Sequence, residues 1–339
     1  MLIFDDSKIH FLVVHKIGVK FLDDNIVFSK KILSITDDIS NLLLRYFIFS
    51  FKSTEYFNFY HNIDINMNEV FVCVSKIFDN PETLLEQSQN LAKHLYEQST
   101  HPKIKGGEFY VVYFKDCIMD GETVDAVGLF KSENKDTFLK VFPKGEGFEI
   151  ESEKGININK LDKGCLIFNT EREKGYIVAV VDNTNKGVEA QYWTDDFLHI
   201  RQRKDEYYNT QNIMSLCKNF VKELPDQLDQ ADILNKSLQF FKEKDNFNLS
   251  EFANEVIGQP DVIEKFNQYK TTFAKEYDVD FADSFTISES AVKKQARALK
   301  SVIKLDKNFD ILIHNNRQLI EQGADEKGKF YKIYYKQEN

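Results

Sequence analysis

Apolar and polar positions change their spacing along the chain. In the first two hundred residues, short alternating runs and longer amphipathic stretches are mixed without a regular strand–helix–strand repeat, which favours an α+β fold. The runs IHFLVVHKI and NIVFSK are rich in Val, Ile and Phe and predict strands. Helices are predicted for DDISNLLLRYFIFSF, for residues 67–78 and for the stretch that begins at Pro81.

Between residues 108 and 182 the chain consists of short apolar runs separated by glycine-bearing turns. This pattern is typical of an antiparallel sheet, and Asp120-Gly121 is the strongest hairpin signal in it. The predicted strands are GEFYVVYFKD, TVDAVGLFK, TFLKVF, GCLIFNT and GYIVAVVD.

Beyond Arg203 the spacing becomes helical, with four amphipathic stretches. Thr286 to Glu289 then fits a capping box at the start of a basic helix, and the strand-like runs SVIKLD, FDILIH and KFYKIYY follow. We therefore predict two domains. Residues 1–204 form an α+β domain with an antiparallel sheet, and residues 205–339 form a mainly helical domain that ends in a basic helix and a small β-sheet.

Composition narrows the class of protein. An apolar share of 42% and a charged share of 29% are ordinary for a folded chain. No apolar run approaches the roughly 18 residues of a membrane span, and the first residues are acidic where an export signal would be basic. The four cysteines are far apart and form no CxxC pair, so we expect neither a disulfide framework nor a zinc site, but a reducing cytoplasm.

Charge is distributed unevenly around the overall value of −10. Residues 1–204 carry a net charge of −6, residues 205–284 carry −8, and residues 285–339 carry +4. Only 6 of the 44 basic residues are Arg, and Lys is a point charge that suits phosphates better than base edges. Any contact with nucleic acid is therefore expected to run through phosphates, and the basic tail is the place to look for it.

The basic helix has two distinct sides. Val292, Leu299 and Val302 lie on one side at helical spacing. The basic side chains are Lys293, Lys294, Arg297 and Lys300, and Lys304 and Lys307 extend this group only if the following strand curls back. Two interpretations stay open: a phosphate-binding face, or a solvated helix face over a buried apolar stripe.

A second basic segment follows the helix that begins at Pro81. Lys103 and Lys105 stand beside the Gly106-Gly107 pair, in a stretch that could form a mobile, basic loop. A plain connection between a helix and a strand explains the same residues. We keep both lysines as candidate DNA contacts.

One group of residues resembles a metal-dependent nuclease site. Asp125, Glu133 and Lys135 match the acid and ExK arrangement that holds a divalent ion beside a phosphate. However, residues 132–136 have the composition of a polar turn, whereas the chemistry needs rigidly held side chains at a cleft. No nucleotide loop, dinucleotide fingerprint or HExxH motif occurs, so we predict no catalytic residues, metal or cofactor.

Several stretches carry a resemblance to a known family. They are HLYEQSTHPKIKGGEFYVVYFKD, GLFKSENKDTFLKVF, INKLDKGCLIFNTE, VVDNTNKGVEAQYW and VKKQARALKSVIKLDKNFDI, spread over about residues 90 to 314. The chain resembles the bacterial nucleoid-associated proteins called NdpA or YejK. That resemblance implies a cytoplasmic, nucleoid-located protein bound to double-stranded DNA, with type II topoisomerase subunits as partners of some members. It carries over no catalytic residues.

Three hypotheses about function remain at this point. The first is a nucleoid protein that binds DNA weakly and largely without sequence preference, the second is an acidic adaptor that binds chromosome machinery such as a type II topoisomerase subunit, and the third is an enzyme. A homodimer is also expected, because paired sites add avidity on DNA.

Overall fold

The computed structural model describes residues 2–4, 7–184, 191–297, 299, 302–305, 309–312 and 319–335. The chain divides into two units, Met1–Arg203 and Lys204–Asn339. Among these residues, each cluster of buried apolar side chains draws its members from one unit.

The N-terminal unit combines a large sheet with helices. Its strands are β1 (Leu2–Ile3), β2 (Lys8–Ile17), β3 (Phe57–Phe59), β4 (Gly107–Met119), β5 (Glu122–Ser132), β6 (Asp136–Lys144), β7 (Gly147–Gly155), β8 (Lys163–Phe168), β9 (Ile177–Asp182) and β10 (Ile200–Gln202). Its helices are α1 (Asp37–Ile48), α2 (Glu69–Asp79), α3 (Leu84–Gln98) and a π-helical segment, Tyr192–Leu198.

Among the described residues, eight strands of this unit form one antiparallel sheet. The order is β4, β5, β8, β9, β3 and β10, with β1 and β2 both pairing with the outer edge of β4. Asp120 and Gly121 form the turn between β4 and β5, and both have positive φ (51° and 89°), as a two-residue hairpin turn of this type requires.

Both faces of the sheet are covered. Successive residues of a strand point to opposite faces, so Val111 of β4 packs with α2, α3 and the π-helical segment, while Val112 packs with α1. On the α1 face, Phe47 stacks on Phe130 with ring centroids 4.1 Å apart. The sheet is thus the middle layer of three, and its central strands are buried on both sides.

Strands β6 and β7 form a separate two-stranded hairpin. It follows β5 directly and leads back to β8 through residues 156–162. Most of its side chains are exposed.

The C-terminal unit is mainly helical. Its helices are α4 (Glu206–Phe220), α5 (Gln227–Glu243), α6 (Leu249–Phe252), α7 (Pro260–Glu276) and α8 (Glu289–Gln295). Its strands are β11 (Asn246–Asn248), β12 (Ser284–Thr286), β13 (Val302–Lys304), β14 (Asp310–Leu312), β15 (Ile320–Asp325) and β16 (Gly328–Ile333), which pair consecutively as three antiparallel pairs. Phenylalanine side chains fill the core, for example Phe220, Phe240 and Phe266.

The predicted fold class, α+β with an antiparallel sheet followed by helices, is confirmed. The prediction of a strand for NIVFSK is wrong, because this segment makes only an isolated bridge between Val27 and Lys16. The sequence pattern does not predict strands β1, β3, β7, β10, β11, β12 and β15.

The predicted capping box is also wrong. Thr286 belongs to β12, and the N-cap of α8 is Ser288, whose side chain accepts a hydrogen bond from the backbone of Ala291. Glu289 is therefore the first residue of the helix and not its third. Helix α8 ends at Gln295, five residues before the end of the predicted helix.

Candidate nucleic-acid interface

Helix α8 is held at its beginning and along one side. The backbone N–H of Ser288 donates to Oγ1 of Thr210, a fully buried residue of α4, over 2.9 Å. Ala291 and Val292 are buried, as is Leu299 beyond the helix end, and α8 packs against α4. The apolar side of the predicted basic helix is therefore a packed surface.

The other side of α8 is exposed and basic. Lys293, Lys294 and Arg297 are all exposed. Lys293 forms an ion pair with Glu289 over 2.6 Å, with side chains 73% and 83% exposed, and the hydrogen bond from Lys293 lowers the pKa of the Glu289 carboxyl. The ammonium of Lys294 lies over the ring of Tyr207, 5.5 Å from its centroid. We call Lys293, Lys294 and Arg297 the α8 basic patch.

The remaining predicted residues of the tail are less well defined. Lys300 and Lys307 lie outside the described residues. Lys304 has its backbone in β13, and its side chain is outside the described part of the chain.

Lys103 and Lys105 lie in the N-terminal unit, at a polar cleft of about 750 Å³. Both are exposed, and the ammonium of Lys105 donates to Oδ1 of Asn134 over 2.7 Å. Lys135 and Lys160 line the same cleft, where they pair with carboxylates of Glu108 and Asp136. Spacing in the sequence could not show that these four lysines share one cleft.

Hydrogen bonds to Asp162 hold one wall of this cleft in place. Its carboxylate accepts hydrogen bonds from the backbone N–H of Glu133 over 2.6 Å, the backbone N–H of Asn134 over 2.8 Å and the Asn134 side chain over 2.8 Å. The connection from β5 to β6 is therefore fixed, in contrast to the loose polar turn that its composition predicts.

Beneath the cleft lies a buried group of charged side chains that sequence analysis missed. The ammonium of Lys131, with no exposed surface, donates to the carbonyl of Lys105 over 2.7 Å, to Glu133 over 2.9 Å and to the Tyr192 hydroxyl over 3.2 Å. Lys163, equally buried, pairs with Asp182 over 2.5 Å. Both ammonium groups lie over the Tyr192 ring, 5.4 and 5.0 Å from its centroid.

Burial also changes the acidity of this group. It lowers the pKa of Lys131, against the opposing effect of the Glu133 carboxylate. It raises the pKa of the Tyr192 phenol well above its ordinary value, and the nearby carboxylate of Glu133 adds to that rise. These contacts hold the charged groups in fixed positions. The buried group therefore anchors the cleft wall to the sheet.

The structure separates the residues of the nuclease-like pattern. Asp125 lies within β5 and accepts a hydrogen bond from the Tyr113 hydroxyl over 2.6 Å. Glu133 follows the far end of the same strand, eight residues away, which corresponds to about 26 Å in an extended strand. Lys135 pairs with Glu108 instead. Among the described residues, no group of three or more His, Cys, Asp or Glu side chains is placed to hold a metal ion.

Comparison with protein families adds the deciding observation. The family model described as nucleoid-associated protein YejK matches residues 9–327, which covers nearly the whole chain. The chain belongs to this family. The family that the sequence resembles is thereby confirmed, and it is a family of nucleoid-associated proteins and not of enzymes. No curated protein matches the chain significantly.

The family match includes both units, and with them the α8 basic patch and the cleft lysines. No helix in the described part of the chain has the length and apolar character needed to cross a bilayer.

Proposed function

We propose that this member of the family acts at the nucleoid by binding duplex DNA weakly, through its phosphates and without base preference. The α8 basic patch carries the proposal, because Lys293 and Lys294 are exposed on a helix whose other side is packed, and Arg297 is exposed just beyond the helix end. They belong to the only one of the three charge regions that is net positive. Cations of this kind bind the duplex by displacing counterions from its phosphates.

The ion pair that Lys293 makes does not oppose this role. The ion pair of Lys293 and Glu289 is almost fully exposed, and exposed pairs contribute at most about 1 kcal/mol. A phosphate can therefore replace the carboxylate at little cost. Two of the three cations are Lys, which favours contact with phosphate over readout of base edges.

The cleft lysines are proposed as a secondary contact. Lys103 and Lys105 are exposed at the rim, and the Lys105 ammonium uses one hydrogen bond on Asn134. An ammonium group has three donors, so a phosphate oxygen can be bound beside this amide. Carboxylates nearby reduce the local potential, and this contact is expected to be weaker than that of the α8 basic patch.

Direct binding is tested with a fluorescently labelled 30-base-pair duplex by anisotropy at low salt. The charge-reversal variant Lys293→Glu/Lys294→Glu/Arg297→Glu should weaken binding by at least about tenfold, because three phosphate contacts become repulsive. The matched control is Lys242→Glu/Lys265→Glu/Lys275→Glu, three exposed lysines of α5 and α7. It changes the net charge equally and should weaken binding less.

A second function is favoured by one observation, the net charge of −8 on residues 205–284. Such a surface suits a basic protein partner, and the sequence resemblance names type II topoisomerase subunits as an example. This adaptor role would replace DNA binding if the wild-type protein bound no duplex even at low salt. Retention of a purified topoisomerase subunit that is lost as salt is raised would then support it.

A further inference from the structure

The β6–β7 hairpin of the N-terminal unit presents an apolar face to solvent. The pairing register places Leu139, Val141 and Pro143 on the same face as Ile150 and Phe148. The exposed fractions are 68% for Leu139, 59% for Val141, 64% for Ile150 and 76% for Phe148. We call these five residues the hairpin apolar face.

The opposite face of the hairpin is already suited to water. Lys140 pairs with Glu153, and Lys144 pairs with Glu149. The ring of Phe138 lies over Gly155, where it would meet any added side chain. The half-buried Phe142 also lies on this face, and apart from these two rings and the glycines the face is charged.

The hairpin apolar face has no partner among the described residues. None of its members belongs to a hydrophobic cluster, and neither strand pairs with another described strand. A lone two-stranded hairpin is only marginally stable in water unless one face is packed. Four large side chains at this exposure present on the order of 400–500 Å² of contiguous apolar surface, an amount that marks interaction sites on soluble proteins.

We infer that the hairpin apolar face docks on the same face of a second copy of this chain. A two-fold interface uses one surface on both copies, and an apolar surface is complementary to itself. Two such faces with their rims cover about 1,000 Å², the size at which specific interfaces begin. This inference goes beyond the proposed function and does not depend on DNA binding.

The charge of the hairpin favours a second copy of the chain over DNA as the partner of the hairpin apolar face. Residues 136–155 hold three Lys and five acidic residues, a net charge of −2 that repels phosphate. The acidic side chains of Glu149, Glu151 and Glu153 lie on the polar face. They point away from the proposed contact, and within the hairpin Lys154, at the end far from the turn, is the one charged residue on the side of the hairpin apolar face.

The first test is the molar mass of the full chain by light scattering at micromolar concentration. Wild type should show twice the chain mass of 39.7 kDa. The variant Val141→Lys/Ile150→Glu should be monomeric, because it replaces a directly opposed apolar pair by an ion pair. It keeps the net charge and the cross-strand attraction, so the hairpin itself should persist.

The matched control exchanges Lys140 and Glu151, which lie directly opposite each other on the polar face. Lys140→Glu/Glu151→Lys also keeps the net charge, and it should remain dimeric. The thermal unfolding midpoint of each variant shows whether the fold is intact. A monomeric wild type, or a dimer that survives Val141→Lys/Ile150→Glu, would overturn the inference.

A second measurement remains informative if that variant does not fold. Ser152 lies on the apolar face opposite Leu139, and Ser152→Cys should form a disulfide-linked dimer on mild oxidation. Glu151→Cys, on the polar face, should stay monomeric in a reducing-agent-free gel. The four native cysteines are buried and should not compete. Equal cross-linking at both positions, or none at Ser152→Cys, would overturn the inference.

Discussion

Lys131 and Lys163 have no exposed surface in the N-terminal unit. Removing one partner of such a buried pair leaves the other charge uncompensated, which costs about 3–5 kcal/mol. We therefore expect Lys131→Met to lower the free energy of unfolding by roughly 3 kcal/mol, since Glu133 is itself only 3% exposed. Urea denaturation followed by circular dichroism measures this change.

The control for this variant is Lys135→Met. The ion pair of Lys135 with Glu108 is partly exposed, at 44% and 24%, and its loss should cost less than about 1 kcal/mol. If the two variants were equally stable, the buried network would not anchor the cleft wall as the geometry indicates.

His15 is held as a neutral side chain. Its Nδ1 accepts a hydrogen bond from the backbone N–H of Ser29 over 3.0 Å, so Nδ1 carries no proton. Its Nε2 contacts Ser88 Oγ at 2.9 Å, and Ser88 donates onward to the carbonyl of Leu85. Burial lowers the pKa of His15 from 6.5 to about 4.

This shift predicts a dependence of stability on pH. Between pH 6.5 and about 4 the unfolded chain binds a proton at His15 that the folded chain does not. Stability is therefore full above pH 6.5 and falls as pH decreases through this window, by up to about 1.4 kcal/mol per pH unit. His15→Gln, which can still accept from Ser29 and donate to Ser88, should remove this part of the slope. Parallel profiles for the two proteins would contradict the assignment.

At the residue scale, the sequence predicts exposed charges better than buried ones. The helical spacing of Val292 against Lys293 and Lys294 correctly indicates which side of α8 is packed. In contrast, Lys131 finds its hydroxyl partner Tyr192 61 residues away along the chain. No local sequence pattern connects residues that are so far apart. The buried network can therefore be recognised only from the assembled sheet.

At the scale of single elements, Ser288 determines where α8 begins. Its hydroxyl accepts from the backbone of Ala291, and loss of such a cap costs about 1 kcal/mol. Ser288→Ala should lower the thermal midpoint, Ser288→Asp should restore it, and Thr286→Ala at the mispredicted cap should have less effect. A larger loss from Thr286→Ala than from Ser288→Ala would favour the capping box.

Errors in the predicted elements have identifiable causes. NIVFSK has strand composition, but its backbone reaches only one bridge with β2, so its apolar side chains Ile26 and Phe28 pack on the core without a ladder. Strand β7 carries a charged residue at nearly every second position because its polar face is in water. Strand propensity alone therefore predicts a strand that NIVFSK does not form, and it misses strand β7.

At the scale of the whole molecule, the hydrophobic clusters formed by the described residues each lie within one unit. We propose that each unit is a domain, and expect a fragment of residues 1–203 to fold alone, since the described strands of its sheet and the described helices that share hydrophobic clusters with them lie within it. Circular dichroism should show a cooperative urea transition for the fragment. A fragment without a transition would mean that the second unit is needed for the first to fold.

The central claim is that an acidic protein contacts DNA mainly through the α8 basic patch, and the salt dependence of duplex affinity tests it most directly. With about four to six phosphate contacts, the logarithm of the association constant should fall against the logarithm of salt with a slope of roughly −4 to −5. Lys293→Glu/Lys294→Glu/Arg297→Glu should flatten this slope by about three, because each lost contact contributes about 0.9. An unchanged slope in that variant, or a wild-type affinity that does not depend on salt, would contradict the account.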